Sequence, residues 1–163
     1  MLRRPRRLRA SSAIRDLVRE TVLNINDLIY PIFVVEGENI KKEIPSLPEV
    51  YHFSLDKLED EIKELKELGI QHVILFGIPD EKDPCGKEAY NDEGIVQKGI
   101  RKIKEIDPSI CVTTDVCMCQ YTSHGHCGIL TEKGYVDNDK TLEYLTKIAV
   151  SHAKAGADMV APS

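Results

Sequence analysis

This sequence has no long apolar run, no glycine-rich dinucleotide motif and no recognisable secretory signal. A membrane-spanning helix needs about 20 mostly apolar residues, so no membrane span is predicted. No Gly-x-Gly-x-x-Gly follows the first apolar run, residues 28–35, which argues against a dinucleotide-binding fold. Five cysteines without a secretory signal indicate a reducing compartment, the cytoplasm, where thiols bind metals or act in catalysis rather than form disulfides.

Charge is distributed unevenly along the chain. The net charge is −5, yet residues 1–19 contain seven arginines and a single acid, so the rest of the chain is strongly acidic. No aromatic residues interrupt the basic stretch, and an acidic body would repel phosphate, so no nucleic-acid partner is predicted. Pro5 and the early acid Asp16 argue against a transit peptide. Two interpretations remain: a solvated basic tail, or an arm (residues 1–24) that lies on the acidic surface of a neighbouring subunit.

The remaining residues, 25–163, show the patterns of a folded α/β domain. Short apolar runs predict four buried strands, at residues 28–35, 72–78, 110–116 and 158–162. Helical spacing of apolar residues predicts helices at residues 55–68, 95–106 and 139–155, the last with Leu142, Leu145, Ile148, Ala149 and His152 towards the core. Ser54 is the predicted N-cap of the first helix. Residues 41–51 contain two prolines and predict a loop with short extended pieces.

The strict alternation of strand and helix predicts right-handed βαβ units. This order fits either an open doubly wound sheet or half of an eight-stranded barrel. The polar groups that can carry chemistry all follow strand ends: Glu36, the loop from Asp80, Asp115 with the cysteines after it, and Ser163. Barrel enzymes place their sites at that edge, so we predict a (β/α)8 TIM barrel. This chain would supply the arm and roughly the first four strands, with open edges at the first and fourth.

Three cysteines and two histidines lie within residues 115–128, directly after a predicted strand. Cys117 and Cys119 are two positions apart, so their side chains face the same way in extended backbone. Cys127 follows after a glycine-containing loop that allows it to return as a third ligand. Thiolates suit zinc, and three protein ligands leave a fourth position open, as in catalytic zinc sites. We therefore predict a Zn²⁺ site formed by these three cysteines.

The residues around the three cysteines allow several interpretations. His124 and His126 can complete a closed Cys3His structural site, orient a ligand as its hydrogen-bond partners, or transfer protons. Asp115, at a strand end just before the cysteines, is either a site carboxylate, which we favour, or a loop cap. Cys111 lies within an apolar strand and is predicted to be a core residue. Cys85 is predicted to lie alone in an exposed loop.

The stretch DVCMCQYTSHGHCG, residues 115–128, resembles the metal loop of the porphobilinogen synthase (5-aminolevulinate dehydratase) family. Weaker similarities, LIYPIFVVEG at residues 28–37 and the final DMVAPS, extend the resemblance through the whole chain. Some family members replace these cysteines with aspartate and do without zinc, so three cysteines imply a zinc-using member. The resemblance also implies that His124 and His126 line the site without closing it. It places Ser163 in the active-site mouth, and we predict Asp115 and Ser163 as the catalytic residues of this chain.

The resemblance implies a lyase that condenses two 5-aminolevulinate molecules asymmetrically to porphobilinogen with loss of two waters, in heme and tetrapyrrole synthesis. The family holds its substrates as Schiff bases on two lysines of later strands, and no lysine here lies at the carboxyl end of a predicted strand. Its Mg²⁺ site is also expected outside this chain, so residues 1–163 alone are expected to be inactive. The family's octamers of arm-exchanging dimers favour the intersubunit role of residues 1–24. The alternative function is a non-catalytic zinc-binding or redox-sensing module with a Cys3His site.

Overall fold

The computed structural model describes residues 5–163. Its strands are β1 (Tyr30–Val35), β2 (Lys41–Ile44), β3 (Leu47–Phe53), β4 (His72–Ile78), β5 (Cys111–Val116) and β6 (Met159–Pro162). Its helices are α1 (Ser12–Leu17), α2 (Leu58–Glu67), α3 (Ile95–Ile106) and α4 (Asn138–Ala155). The four predicted strands and three predicted helices are all confirmed, with small shifts at their ends.

The six strands form one sheet in the order β2-β3-β1-β4-β5-β6. Every neighbouring pair is parallel except β2 and β3. From β1 across to β6 the strands lie side by side in chain order, with α2, α3 and α4 as the connecting helices. A doubly wound sheet would reverse this order at a switch point, whereas a barrel continues it in one direction. The observed order is therefore that of a barrel.

One face of the sheet packs on the helices and forms the core. Alternate strand positions on this face are buried: Ile32, Val34, Val73, Leu75 and Val112. The helices complete the same cluster with Ile62, Leu65, Ile100, Ile103 and Ile148. Each of these aliphatic side chains stabilises the fold by about 1.5–3 kcal/mol through its removal from water. At Gly77 the contact is so close that a Cβ would overlap Val96 of α3 and the Tyr121 hydroxyl.

The opposite face of the sheet is only partly covered. Phe33 of β1 and Phe76 of β4 stack there, with ring centroids 4.9 Å apart and both rings partly exposed. His52 of β3 lies edge-on to Phe33. These residues alternate with the buried positions, as the pleat of a strand requires. In a barrel this face is the interior.

Residues 41–51 form the hairpin of β2 and β3 rather than a loop with short extended pieces. The hairpin joins the sheet because β3 pairs in parallel with β1 through Phe33 and Val34. The predicted open edge at the first strand is therefore wrong. The charged and proline-containing sequence suits an edge position, where side chains stay exposed and a ladder donor is dispensable. Ser54, the predicted helix N-cap, instead accepts a hydrogen bond from the Ile40 N–H through Oγ at 2.8 Å.

Helix α4 buries a different face from the one predicted at its start. Leu142 is 53% exposed, so its predicted core position is wrong. The neighbouring Thr141 is buried instead, because its Oγ1 accepts from the Ile129 N–H at 3.0 Å and donates to the Asp137 carbonyl at 2.6 Å. Further along the helix, Ile148 and His152 are fully buried, as predicted.

In the N-terminal segment, residues 5–29, no side chain is buried. Within it, α1 begins after Ser11, whose Oγ accepts from the Ile14 N–H at 3.2 Å. Residues 1–4 of the predicted arm lie outside the described residues. Among the helices of residues 5–163, none has the length and apolar character needed to cross a bilayer.

Candidate metal centre

The carboxyl end of β5 leads directly into the candidate site. We call residues 117–127 the Cys loop. Just after the strand, the Met118 carbonyl accepts hydrogen bonds from both the Tyr121 and Thr122 N–H groups at 2.9 Å. Met118 is itself fully buried. The chain therefore turns back sharply on an anchored residue, which brings the end of the loop near its start.

The structure brings the three predicted cysteines together. The sulfur atoms of Cys117, Cys119 and Cys127 all lie within 4.8 Å of one another, and those of Cys117 and Cys119 are 3.4 Å apart. Tetrahedral zinc with bonds of about 2.3 Å to sulfur separates its thiolates by about 3.8 Å. The three thiols are free and suit one soft divalent cation.

The sulfur cluster disfavours its own ionisation. Burial and the adjacent sulfurs of Cys117 and Cys127 raise the pKa of Cys119 to about 12. The pKa of Cys127 is raised by its hydrogen bond with Cys117 and by burial. Three thiolates this close repel one another unless a positive charge lies between them, and a metal ion supplies that charge. A metal ion that bound here would therefore release protons.

Gln120 connects Asp115 to the sulfur cluster. Its Nε2 donates to Asp115 Oδ2 at 2.9 Å, and its Oε1 accepts from the Cys119 thiol at 3.3 Å. Burial raises the pKa of the Asp115 carboxyl, and the Gln120 hydrogen bond opposes that shift. A carboxyl with a raised pKa beside this cluster is suited to hold a proton at neutral pH more readily than an exposed one. Sequence reasoning missed Gln120, whose only signal is its place next to Cys119.

Neither histidine of the Cys loop belongs to the sulfur cluster. His124 Nδ1 accepts from the His126 backbone N–H at 3.2 Å, so the ring proton lies on Nε2, which donates to the Pro84 carbonyl at 3.2 Å. Both nitrogens of His124 are thus engaged. His126 is exposed, with its ring centroid 5.5 Å from that of His124. Among the described residues the cluster consists of sulfurs alone, which favours an open fourth position over a closed Cys3His site.

Ser163 lies beside the start of the Cys loop. Strand β6 runs parallel to β5 with Pro162 opposite Val116, and the Ser163 N–H donates to the Val116 carbonyl at 3.1 Å. Ser163 is exposed. The predicted site residues Asp115 and Ser163 therefore meet at the same sheet edge as Cys117.

A neighbouring pocket opens at the carboxyl ends of β1 and β4. It encloses about 200 Å³ and is lined by Glu36, Pro79, Asp80, Glu81 and Glu88. Two of these, Glu36 and Asp80, are groups that the sequence placed at this edge. The Nζ atom of Lys98, on α3, lies 3.8 Å from Glu36 Oε1, so its positive charge partly offsets the negative charge of the pocket lining.

The two other cysteines lie apart from the cluster, and neither matches its predicted burial. Cys85 is partly buried rather than exposed, because its loop folds onto the core. The nearby Cys85 thiol raises the pKa of the Tyr144 hydroxyl. Cys111 is only partly buried because it alternates with Val112, which occupies the helix-covered face.

The comparisons with known proteins point to one family. The family model for delta-aminolevulinic acid dehydratase matches residues 2–163. The chain is 59% identical over 160 residues to delta-aminolevulinic acid dehydratase of Bacillus subtilis (strain 168), covering 98% of this chain and 49% of that protein. It is 57% identical over 163 residues to the protein of the same name from Ruminiclostridium josui, covering 100% of this chain and 79% of that protein.

A solved structure shows the same relationship. The delta-aminolevulinic acid dehydratase (porphobilinogen synthase) of Toxoplasma gondii ME49, in complex with the reaction product porphobilinogen, matches with a TM-score of 0.94 at 38% identity. The match covers 100% of this chain and 47% of that one, so the chain spans about half the length of this protein, as it does for the B. subtilis relative. The predicted TIM-barrel class is thereby confirmed. This chain belongs to the delta-aminolevulinic acid dehydratase family.

Proposed function

We propose that this chain supplies the metal-binding half of a porphobilinogen synthase. The proposed reaction joins two 5-aminolevulinate molecules asymmetrically to porphobilinogen with loss of two waters, a step of heme biosynthesis, in the cytoplasm. One observation carries the proposal: the sulfurs of Cys117, Cys119 and Cys127 converge within 4.8 Å at the carboxyl end of β5. Barrel enzymes build their active sites at that edge.

Zn²⁺ is the proposed metal, with the three cysteines as its ligands. When bound, it would polarise a substrate oxygen or amine as a Lewis acid. Cys117 is buried at the base of the cluster, whereas Cys127 is exposed on its solvent side, from which a substrate can approach. His126, exposed near the cluster, is proposed to line the site.

Asp115 and Ser163 are the proposed catalytic residues of this half. The raised pKa of Asp115 suits a carboxyl that holds or transfers a proton, and the Gln120 hydrogen bond to Oδ2 orients that carboxyl. The exposed Ser163, on the next strand, offers a hydroxyl to a substrate at the same edge. Together they would orient a bound substrate against the metal.

Residues 25–163 are proposed to form half of a catalytic barrel whose Schiff-base lysines and Mg²⁺ site lie outside this chain. A Schiff-base lysine needs a neutral amine, favoured by desolvation. Lys98, which lies beside the acidic pocket, is instead partly exposed and paired with Glu36. Residues 1–163 alone are therefore proposed to be inactive.

Residues 1–24 are proposed to be an intersubunit arm of a homo-oligomer, and the proposed homo-oligomer is an octamer. The described part of this arm exposes apolar side chains, with Leu17 84% and Leu23 80% accessible. Burial of such residues against a neighbour would stabilise the assembly. The arginine-rich start also complements the acidic remainder of a second copy.

A binding assay and an activity assay test the proposal. The purified 163-residue chain should bind one zinc ion and form no porphobilinogen from 5-aminolevulinate, while B. subtilis delta-aminolevulinic acid dehydratase serves as the positive control. Failure to bind zinc would contradict the metal assignment. Turnover by the intact 163-residue species, verified by mass spectrometry, would contradict the placement of the lysines elsewhere.

A further inference from the structure

The loop after β4 lies directly against the Cys loop. We call residues 83–87 the Asp83 loop. The Asp83 N–H donates to the Tyr121 carbonyl at 3.3 Å, and the Ser123 N–H donates to the Asp83 carbonyl at 3.1 Å. These two bonds form a parallel bridge between Asp83 and Thr122. The backbone of Asp83 is thus bonded on both sides to the middle of the Cys loop, between its second and third cysteines.

The Asp83 carboxylate gives this loop its shape. Its Oδ1 accepts from the Cys85 N–H at 2.7 Å and its Oδ2 from the Lys87 N–H at 2.9 Å. Burial acts to raise the pKa of Asp83, but the backbone donors of Lys87 and Cys85 outweigh it and hold that pKa below its usual value. Gly86 takes a left-handed conformation, with φ +62°, that closes the turn beside Tyr121.

Two further hydrogen bonds extend the contact towards Cys127. His124 donates from Nε2 to the Pro84 carbonyl at 3.2 Å. Thr122 Oγ1 donates to the His126 carbonyl at 2.9 Å and so closes the last turn before the third cysteine. Each turn between Cys119 and Cys127 is therefore hydrogen-bonded to the Asp83 loop or to a residue that is itself hydrogen-bonded to that loop.

We propose that Asp83 is a positioning residue of the metal centre: its carboxylate shapes the Asp83 loop, which holds the Cys loop so that Cys127 lies beside Cys117 and Cys119. This inference rests on the proposed metal site. A ligand loop that is ordered before metal arrives binds more tightly than one that the metal must order. Loss of the supporting contacts should therefore weaken binding without removing any ligand.

Asp83→Ala is the direct test, with Asp56→Ala as its matched control. The Asp56 carboxylate also accepts a backbone N–H, from Asn39 at 3.1 and 3.0 Å, but Asp56 lies in the short helical turn between β3 and α2. Zinc affinity is measured by competition with a chromophoric chelator, and Co²⁺ substitution reports the thiolate charge-transfer absorption. Asp83→Ala should weaken binding about 10- to 100-fold, a loss typical of residues that orient metal ligands. Asp56→Ala should leave it unchanged.

Two further variants keep the test decisive. Asp83→Asn retains one acceptor oxygen and should recover part of the lost affinity. If Asp83→Ala does not fold, His124→Ala, which removes the contact to Pro84, decides instead and should also weaken zinc binding. Wild-type zinc affinity in a folded Asp83→Ala protein would overturn the inference and leave the proposed metal site intact. Where His124→Ala decides instead, wild-type zinc affinity in that variant would have the same meaning. Absence of zinc binding in the unaltered protein would instead overturn the proposed function.

Discussion

The Cys loop and the N-terminal segment, residues 5–29, both lack long regular elements, yet they are held in opposite ways. The Cys loop buries Tyr121 and Thr122, and hydrogen bonds connect it to the Asp83 loop and, through Gln120, to Asp115 at the end of β5. Residues 5–29 bury no side chain, and their hydrogen bonds are local. Hydrogen bonds to other parts of this chain hold the Cys loop in place, whereas the hydrogen bonds described for residues 5–29 stay within that segment.

This difference distinguishes a loop that positions metal ligands from a segment that is suited to bind another surface. Backbone groups need hydrogen-bond partners, and a loop whose partners come from the surrounding scaffold is fixed before any ligand binds. Such a loop can hold three sulfurs at metal-binding distances. A segment with exposed apolar side chains and no internal partners is suited to bind another surface. Four predictions test the contrast, from the largest expected effect to the smallest.

Replacement of Cys117 by serine should abolish zinc binding. The serine hydroxyl is a harder donor and stays protonated at neutral pH, so two thiolates would remain for the cation. Bound zinc, measured by elemental analysis after gel filtration, should fall from one ion per chain to nearly none. Cys85→Ser is the control and should keep its zinc, because Cys85 lies outside the sulfur cluster. A Cys117→Ser protein with full zinc content would contradict the assignment.

Acidification should destabilise the scaffold beneath the Cys loop through His152. This fully buried ring has its Nδ1 3.0 Å from Thr114 Oγ1 of β5, and burial lowers the pKa of His152 to about 4 from an unfolded value of 6.5. Between these values the unfolded chain binds more protons. Stability from this group is therefore complete above pH 6.5 and falls by about 3 kcal/mol as the pH drops to 4.

Urea unfolding at pH 7.5 and pH 5 measures this effect. A His152→Gln variant should lose much of the difference in free energy of unfolding between the two pH values. His72→Gln, in the partly exposed first position of β4, should retain it. An unchanged pH dependence in His152→Gln would show that other groups cause the destabilisation.

Removal of the Thr141 hydroxyl should loosen the segment that follows the Cys loop. Thr141→Val leaves the Ile129 N–H without its acceptor in a buried position, which costs about 1–3 kcal/mol of folding free energy. Thr146→Val is the control, since the Thr146 hydroxyl donates to the Leu142 carbonyl on the exposed side of the same helix. Chemical denaturation should show a change below about 0.5 kcal/mol for that variant. Equal losses in both would contradict the role of Thr141.

Leu17→Ser in the N-terminal segment should change the free energy of unfolding of the subunit least, by under about 0.5 kcal/mol. Its side chain is 84% exposed, so little burial is lost within the subunit. Sedimentation velocity should nevertheless show a smaller assembly. Leu142→Ser, exposed on α4, is the matched control and should leave the assembly size unchanged. An unaltered assembly in Leu17→Ser would argue against the arm as an intersubunit contact.

Periodicity predicted most of the fold because the buried strands and helices each satisfy one pattern along the chain. Ile95–Ile106 is helical as predicted, and its apolar residues pack on the sheet. The β2–β3 hairpin was missed as a hairpin because an edge strand keeps charged side chains exposed and shows no apolar run. Leu142 was misplaced because the hydrogen bonds of Thr141, rather than hydrophobicity, set the buried face of α4 at that point.

The spacing of the three cysteines also predicts that they lie together, since residue type and a short loop limit where they can lie. The residues that hold these cysteines in position could not be predicted in the same way. Asp83 acts through backbone bonds to Tyr121 and Ser123, distant in sequence, and Gln120 through the direction of one side chain. Contacts of this kind depend on tertiary packing, which has no local signal in the sequence.

The most direct test of the central claim, a three-sulfur metal site with an open fourth position, is X-ray absorption at the zinc edge of the zinc-loaded protein. The account predicts three sulfur ligands at about 2.3 Å and one lighter ligand without imidazole scattering. Three sulfurs with a histidine ring as fourth ligand would contradict the open position. Zinc bound by fewer than three sulfurs would contradict the site itself.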